Sequence, residues 1–222
     1  MSRNFPRKLA AVIFDLDGVL TDTASAHYRA WKWLGEQLGI AFDETMNEAL
    51  KGVDRLRSLE LLLGPLANRY TDAEKTRLAD RKNMRYLEEI GHYSASDVFP
   101  GVRRVLAEIN AEGLKLALAS ASRNAPYLIR RLELDSCFDV IVDAAGIAAG
   151  KPDPEIFLRA EVLLGTPAAQ CLAVEDAAAG IAAIRRAGMW ALGIGRAERL
   201  AEAHCVIEHI SCFRLEDFRQ HQ

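Results

Sequence analysis

A chain of 222 residues, half of them hydrophobic and 27% charged, can bury a full core as one large domain or two smaller ones, and is too apolar for a disordered tail protein. Its net charge of -3 at pH 7 gives no basis for a nucleic-acid or anionic-membrane partner, and neither is expected. The four cysteines, Cys137, Cys171, Cys205 and Cys212, have neither CxxC spacing nor a histidine at a zinc-finger interval, so they are expected to be reduced core thiols.

The opening segment MSRNFPRKLAAVIFDLDG is basic and then apolar, like a secretory signal. Asp15 interrupts the apolar stretch too early, however, and no small-residue cleavage site follows. With no long apolar run elsewhere, a cytosolic protein is expected. KLAAVIFD reads as a strand buried on both faces of a parallel sheet, and ends in two carboxylates, Asp15 and Asp17.

Residues 23 to 96 carry helix signals and no convincing strand. His27, Trp31, Leu34 and Leu38 share one helix face that ends at Gly39. RLRSLELLL stops at Gly64-Pro65, and Thr71 to Glu74 form a capping-box pattern before a helix that closes near Gly91. From about Pro100 the strand-like runs LKLALAS, FDVIVDA, CLAVED and WALGIG alternate with amphipathic segments. One of these is VRRVLAEINAEG, with Val102, Val105, Leu106 and Ile109 on one stripe. The expected fold is α/β: a doubly wound, Rossmann-like parallel sheet formed by residues 1–22 and 97–222, with an all-helical cap at 23–96 inserted through turn-prone tethers at Asp22-Thr23 and Asp97-Pro100.

Ligands of open α/β sheets bind beyond the carboxyl ends of the strands, and four such ends carry polar groups here. Asp15 and Asp17 leave the first strand on one side, while Gly18 lets the chain turn away. Ser120, Ala121 and Ser122 end the second, with Asn124 placed to cap the next helix; hydroxyls and free N–H groups at a helix start suit a phosphate. Lys151 precedes Asp153-Pro154, a helix-start pair. Glu175 and Asp176 close the fourth and suggest a hard cation on oxygen ligands, Mg2+. Taken singly, each is equally a turn, a cap or a solvated loop.

The order DxDG(V/I)xxD, strand-end Ser, Lys-Pro, Glu-Asp closely resembles the haloacid dehalogenase superfamily of phosphotransferases over essentially the whole chain. The resemblance implies Asp15 as the nucleophile that becomes phospho-aspartate, and Asp17 as general acid and base. It also implies Mg2+ held by the Asp15 carboxylate, the Asp17 carbonyl, Glu175 and Asp176. Lys151 and the cation would offset the repulsion between a carboxylate and a phosphate dianion, while Ser120 and the Ala121 amide orient the transferring group.

The stretches LKGVDRLRSLELLL, HYRAWKWL, RKNMRY, ALASASRNAP and AAGKPDPEIF are similar to segments of the β-phosphoglucomutase subfamily. This likeness implies that Arg55, Ser122 and Asn124 grip the phosphate not being transferred, and that Gly52, Val53, Ser58, Trp31 and Lys82 line the sugar side. It places His27 in a hinge network coupled to Asp17. Two positions depart from the subfamily: Arg123, among these substrate contacts, stands where a lysine is common, and Asp54 where a serine is usual. From the residues themselves, Lys82 either meets a partner or snorkels to solvent, His27 is either mechanistic or a satisfied interface histidine, and Arg55 either solvated or part of an anion site with Lys51 and Arg57.

The implied activity interconverts β-glucose 1-phosphate and glucose 6-phosphate, with β-glucose 1,6-bisphosphate as intermediate and activator, in a monomer whose partner is a small sugar phosphate. The alternatives are a sugar-phosphate phosphatase on the same core and a binding protein that keeps the fold. A dehalogenase or phosphonate hydrolase fits less well, because dehalogenases lack the second Asp and the phosphonate-cleaving cap has no match here. GIGRAERL, which follows a strand, offers a weak dinucleotide signal without the third glycine.

Overall fold

The computed structural model describes residues 8–50 and 53–218. The chain divides into two compact units, one formed by Met1–Asp22 with Ser94–Gln222 and the other by Thr23–Tyr93.

In the first unit, six parallel strands form one sheet among the described residues: β1 (Ala11–Phe14), β2 (Lys115–Leu118), β3 (Val140–Ile141), β4 (Cys171–Glu175), β5 (Trp190–Ile194) and β6 (Cys205–Ile207). Their order is β3-β2-β1-β4-β5-β6, the doubly wound arrangement that the alternating pattern predicts. Helices α5 (Val102–Ala111), α6 (Ala125–Arg131), α7 (Glu155–Leu164) and α8 (Ala178–Arg186) form the crossovers. All four residues of β1 are buried, because a central strand covered on both faces can be apolar throughout. The stripe Val102, Val105, Leu106 and Ile109 is the buried face of α5.

Several details depart from the expectations. FDVIVDA forms only the two-residue β3, and β6, at the sheet edge, carries too short an apolar run to register as a strand in sequence. Asn124 stands at the start of α6 without capping it, since its φ of -91° with ψ of 0° is not the extended geometry a capping side chain needs; its own N–H donates to Ser122 Oγ at 3.2 Å. Pro154, not Asp153, is the residue before α7; Asp153 Oδ1 instead accepts from the Glu155 N–H at 3.0 Å, a turn two residues long. GIGRAERL leads from β5 into turns, without the helix start a dinucleotide phosphate would need. Cys171 is buried, but Cys137 and Cys205 are half-buried and Cys212 is exposed, because they lie in surface turns and the edge strand; all four are free thiols.

The second unit is helical: α1 (Ala24–Leu38), α2 (Glu44–Leu50), α3 (Arg55–Leu63) and α4 (Asp72–Ile90). Gly39 ends α1 in the left-handed conformation that a residue with a Cβ resists. Thr71 and Glu74 form the reciprocal capping box at the start of α4. Trp31 and Leu34 of α1 pack with Leu59, Leu62 and Leu63 of α3 and with Leu78 and Ala79 of α4 in one core. Among the described residues no helix is long and apolar enough to cross a membrane.

Candidate active site

Parallel pairing brings the ends of β1 and β4 together. Phe14 is in register with Val174, the Asp15 N–H donates to the Val174 carbonyl at 2.9 Å, and Glu175 closes β4 beside it. In this strand order the chain reverses direction across the sheet between β1 and β4, the crevice where such folds bind ligands.

Lys151 lies in the segment before α7, and its ammonium donates to Asp15 Oδ1 at 2.7 Å and to Glu175 Oε2 at 2.8 Å. All three residues are buried. Burial, and after it the Glu175 charge, pushes the Asp15 carboxyl up to about 6 against the opposing pull of Lys151. Burial also works against the charge on Lys151, but the Asp15 and Glu175 carboxylates outweigh it and hold the ammonium above the ordinary lysine range. Sequence reasoning missed what holds this segment: Glu155 accepts from the backbone N–H groups of Ala148 (2.9 Å) and Ala149 (2.7 Å), closing the loop that carries Lys151. An acid in the first turn of a helix was the available signal.

Asp15, Glu175 and Asp176 each offer an oxygen, all within 4.8 Å of one another. Three carboxylates, two of them buried and that of Asp176 half-buried, face one ammonium and retain negative charge, and an all-oxygen donor set suits Mg2+, so the residues fit that cation. Glu175 has little left to give it. Oε2 is held by Lys151, while Oε1 accepts from the Asp176 and Ala177 N–H groups at 3.1 Å each.

Asp17 is half-buried and lies in a bridge with Thr21, and Gly18 turns the chain at φ 74° with its N–H on the Thr21 carbonyl at 2.9 Å. Gly18 is needed twice over, since a Cβ there would stand 2.1 Å from Asp176 Oδ2. Thr21 also pairs with Val98, and its hydroxyl donates to the Asp97 carbonyl at 2.6 Å, joining the two stretches next to where the chain leaves and re-enters this unit. Ser120 is buried and its Oγ accepts from the Ser122 N–H at 3.2 Å; Ala121, Ser122 and Asn124 are half-buried beside it, and Arg123 is exposed.

In the helical unit Lys82 is only 3% exposed and does not snorkel. Its Nζ stands 2.9 Å from His27 Nδ1, 4.7 Å from the centre of the Trp31 ring and 4.8 Å from that of Tyr86. An ammonium only donates, so Nδ1 accepts, and two aromatic faces complete a cage for the cation. Tyr86, whose ring centre also lies 4.1 Å from that of His27 at a tilt of 31°, lies one helical turn beyond Lys82, a spacing that could have revealed the cage. Burial, followed by the Lys82 and Arg55 charges, holds His27 well below the ordinary histidine value of 6.5.

A raised proton affinity of the unfolded chain relative to the folded one sets the sign of a pH effect. Stabilisation from neutral His27 is fully present above about pH 6.5 and is lost as the pH falls toward its folded value. The expected outcome is an acid-side drop in melting temperature that shrinks in His27→Gln; parallel curves for the two proteins between pH 8 and 5 would contradict it.

Arg55 lies 3.8 Å from Asp80 and is partly exposed, and buried Ser58 donates to the Val53 carbonyl at 3.4 Å. Gly52 and Lys51 lie outside the described residues. Asp54, the departure from serine, is the N-cap of α3: its Oδ1 accepts from the N–H groups of Leu56 and Arg57, at 3.1 Å each. Serine caps as well as aspartate, so Asp54→Ser should leave the melting temperature nearly unchanged while Asp54→Ala costs about 1 kcal/mol. Equal losses in the two variants would count against the capping role.

The comparisons with known proteins extend over both units. A β-phosphoglucomutase of Bacillus subtilis is 48% identical over 210 residues, covering 94% of this chain and 93% of that protein. A phosphorylated carbohydrates phosphatase of Thermotoga maritima is 32% identical over 184 residues, covering 82% of each. The crystal structure of a β-phosphoglucomutase from Clostridium difficile superposes with a TM-score of 0.92 at 38% identity, covering 94% of both chains. The sequence profile of haloacid dehalogenase-like hydrolases matches residues 9–188, from the strand that carries Asp15 through the helix after Glu175 and Asp176. The strand-end carboxylates and the lysine that joins them are thus set in a chain that belongs to the haloacid dehalogenase-like hydrolase family.

Proposed function

We propose that the chain is an isomerase, a phosphomutase that interconverts β-D-glucose 1-phosphate and D-glucose 6-phosphate. The observation that carries the reading is the 48% identity to a β-phosphoglucomutase, which runs through the helical unit as well as the sheet. In this reading Asp15 takes the phosphoryl group, and Asp17 gives a proton to the leaving oxygen and takes one from the attacking hydroxyl. Lys151 holds Asp15 in place and balances charge on the transferring group, while Ser120 and the Ala121 amide orient it. Mg2+, when bound, supplies positive charge for the transferring phosphoryl oxygens. The geometry supports Asp15 and Asp176 as its side-chain ligands and Glu175 mainly as the anchor of Lys151. The Asp17 carbonyl completes the proposed set.

Arg55, Ser122 and Asn124 grip the second phosphate, with Arg123 beside them, and Trp31, Gly52, Val53, Ser58 and Lys82 face the sugar. His27, bonded to Lys82, serves as the hinge residue. β-Glucose 1,6-bisphosphate is the intermediate and the activator. The reading carries with it a cytosolic monomer whose partner is a small sugar phosphate.

The second reading, a sugar-phosphate phosphatase, draws on the 32% identity to the Thermotoga maritima phosphatase. One assay separates them: protein, Mg2+, β-glucose 1-phosphate and a trace of β-glucose 1,6-bisphosphate. Glucose 6-phosphate is the expected product, and inorganic phosphate as the only product would replace the mutase with the phosphatase.

A further inference from the structure

Glu175 occupies the space that a side chain at position 180 would need. Gly180 is a buried residue of α8, and a Cβ built on it would stand 2.0 Å from Glu175 Oε2, 2.1 Å from Cδ and 2.4 Å from Cγ. The end of a long side chain can usually swing away from such an overlap. Here it cannot do so freely, because Oε2 is bonded to the Lys151 ammonium at 2.8 Å, Oε1 to the Asp176 and Ala177 N–H groups at 3.1 Å, and Glu175 has no exposed surface. The backbone at Gly180 is ordinary α-helix, a conformation that favours alanine over glycine, so helix formation alone gives no reason for a glycine.

We propose that Gly180 is a positioning residue: its missing side chain seats the Glu175 carboxylate against α8, and the seated carboxylate fixes the Lys151 ammonium on Asp15. The inference rests on the phosphotransfer reading of Asp15 given above. A Cβ at position 180 displaces Glu175 first, because helix backbone yields less readily than a side chain. Lys151 then follows Glu175 or loses it, and in either case the ammonium leaves its place 2.7 Å from Asp15 Oδ1. The contacts assigned to the sugar lie on other elements, so the effect falls on turnover and not on substrate affinity.

The test is a double-substitution cycle with Gly180→Ala, Glu175→Ala and the pair, read in kcat, KM and metal-free melting temperature. With Glu175 present, Gly180→Ala should lower kcat about 100-fold, change KM less than threefold and lower the melting temperature. In the Glu175→Ala background the same change should alter kcat less than twofold and raise the melting temperature, as glycine to alanine normally does within a helix. Equal effects of Gly180→Ala in both backgrounds, in kcat or in melting temperature, overturn the proposal. A wild-type protein with no mutase turnover but with coupled melting temperatures overturns the proposed reaction and leaves the seating of Glu175 standing.

Discussion

Asp15→Asn should abolish turnover and, in metal-free protein at neutral pH, raise the melting temperature. The loss of activity follows from removing the proposed nucleophile: an amide cannot form the acyl phosphate, and at least a 10⁴-fold drop in kcat is expected, on the order seen when catalytic nucleophiles are deleted. The gain in stability follows from the site's electrostatics. Asp15 titrates at about 6 in the folded chain against an ordinary value of 3.8, and the higher value already includes the help of Lys151. A carboxyl whose folded value is raised contributes stability that is fully present below the unfolded value and is lost as the pH rises through the folded one. Above pH 6 the ionised group therefore costs on the order of 1–3 kcal/mol, which asparagine relieves while its carbonyl still accepts from Lys151. Thermal unfolding from pH 4 to 8 would show it as a flatter curve for the variant. Added Mg2+ should narrow or reverse the difference, because it binds the ionised cluster and stabilises the wild type more. A metal-free variant that melts below the wild type at pH 7.5 would contradict this account of the site.

Lys151→Met should act in the opposite direction on stability and in the same direction on activity. Without the ammonium, Asp15 and Glu175 remain as two buried carboxylates at adjacent strand ends, each having lost a bond of 2.7 to 2.8 Å. Removing one partner of a buried ionic cluster costs about 3–5 kcal/mol, since the charges left behind have neither water nor a counter-ion. For a chain of this size that corresponds to a fall in melting temperature of about 6–20 °C. Part of the loss should return at pH 5, where Asp15 takes up a proton more readily than before, and part should return with Mg2+. A fall of less than 2 °C at pH 7.5 would mean that Lys151 is not the group that balances these charges.

The two variants share a lesson about function and stability. The site's stored cost sits on Asp15, which is kept ionised among buried like charges, and Lys151 is the residue that makes that arrangement tolerable.

Periodicity made much of the architecture legible. The apolar run into Asp15, the α5 stripe and the Thr71 capping box all have the places their spacing predicts. Each is a local pattern, in which burial repeats at the period of the element and neighbouring residues carry the signal. The failures were also local. Asn124 has the chemistry of a cap, but backbone angles decide whether a side chain reaches the helix start, and composition does not carry those angles; Asp153 does reach the first N–H of α7, from one residue further out than a cap stands. Asp54 stood out in the sequence only as a departure from serine, and the start of α3 shows the two N–H groups from which it accepts.

The amino-acid sequence by itself determined the α/β class, the helical insert and the four strand ends at which polar groups interrupt apolar runs, because burial and turning are encoded by residues close together in the chain. Only the tertiary structure decided which of those groups meet. Lys151 and Asp15 are 136 residues apart, and their 2.7 Å contact exists because β1 and β4 pair in parallel register and the loop before α7 ends above them. The same register assigns Glu175 to hold a lysine, lifts Asp15 to about 6 and leaves no room for a side chain at Gly180. Distance, desolvation and excluded volume arise between segments that share no local pattern, and they appear when the strands come together.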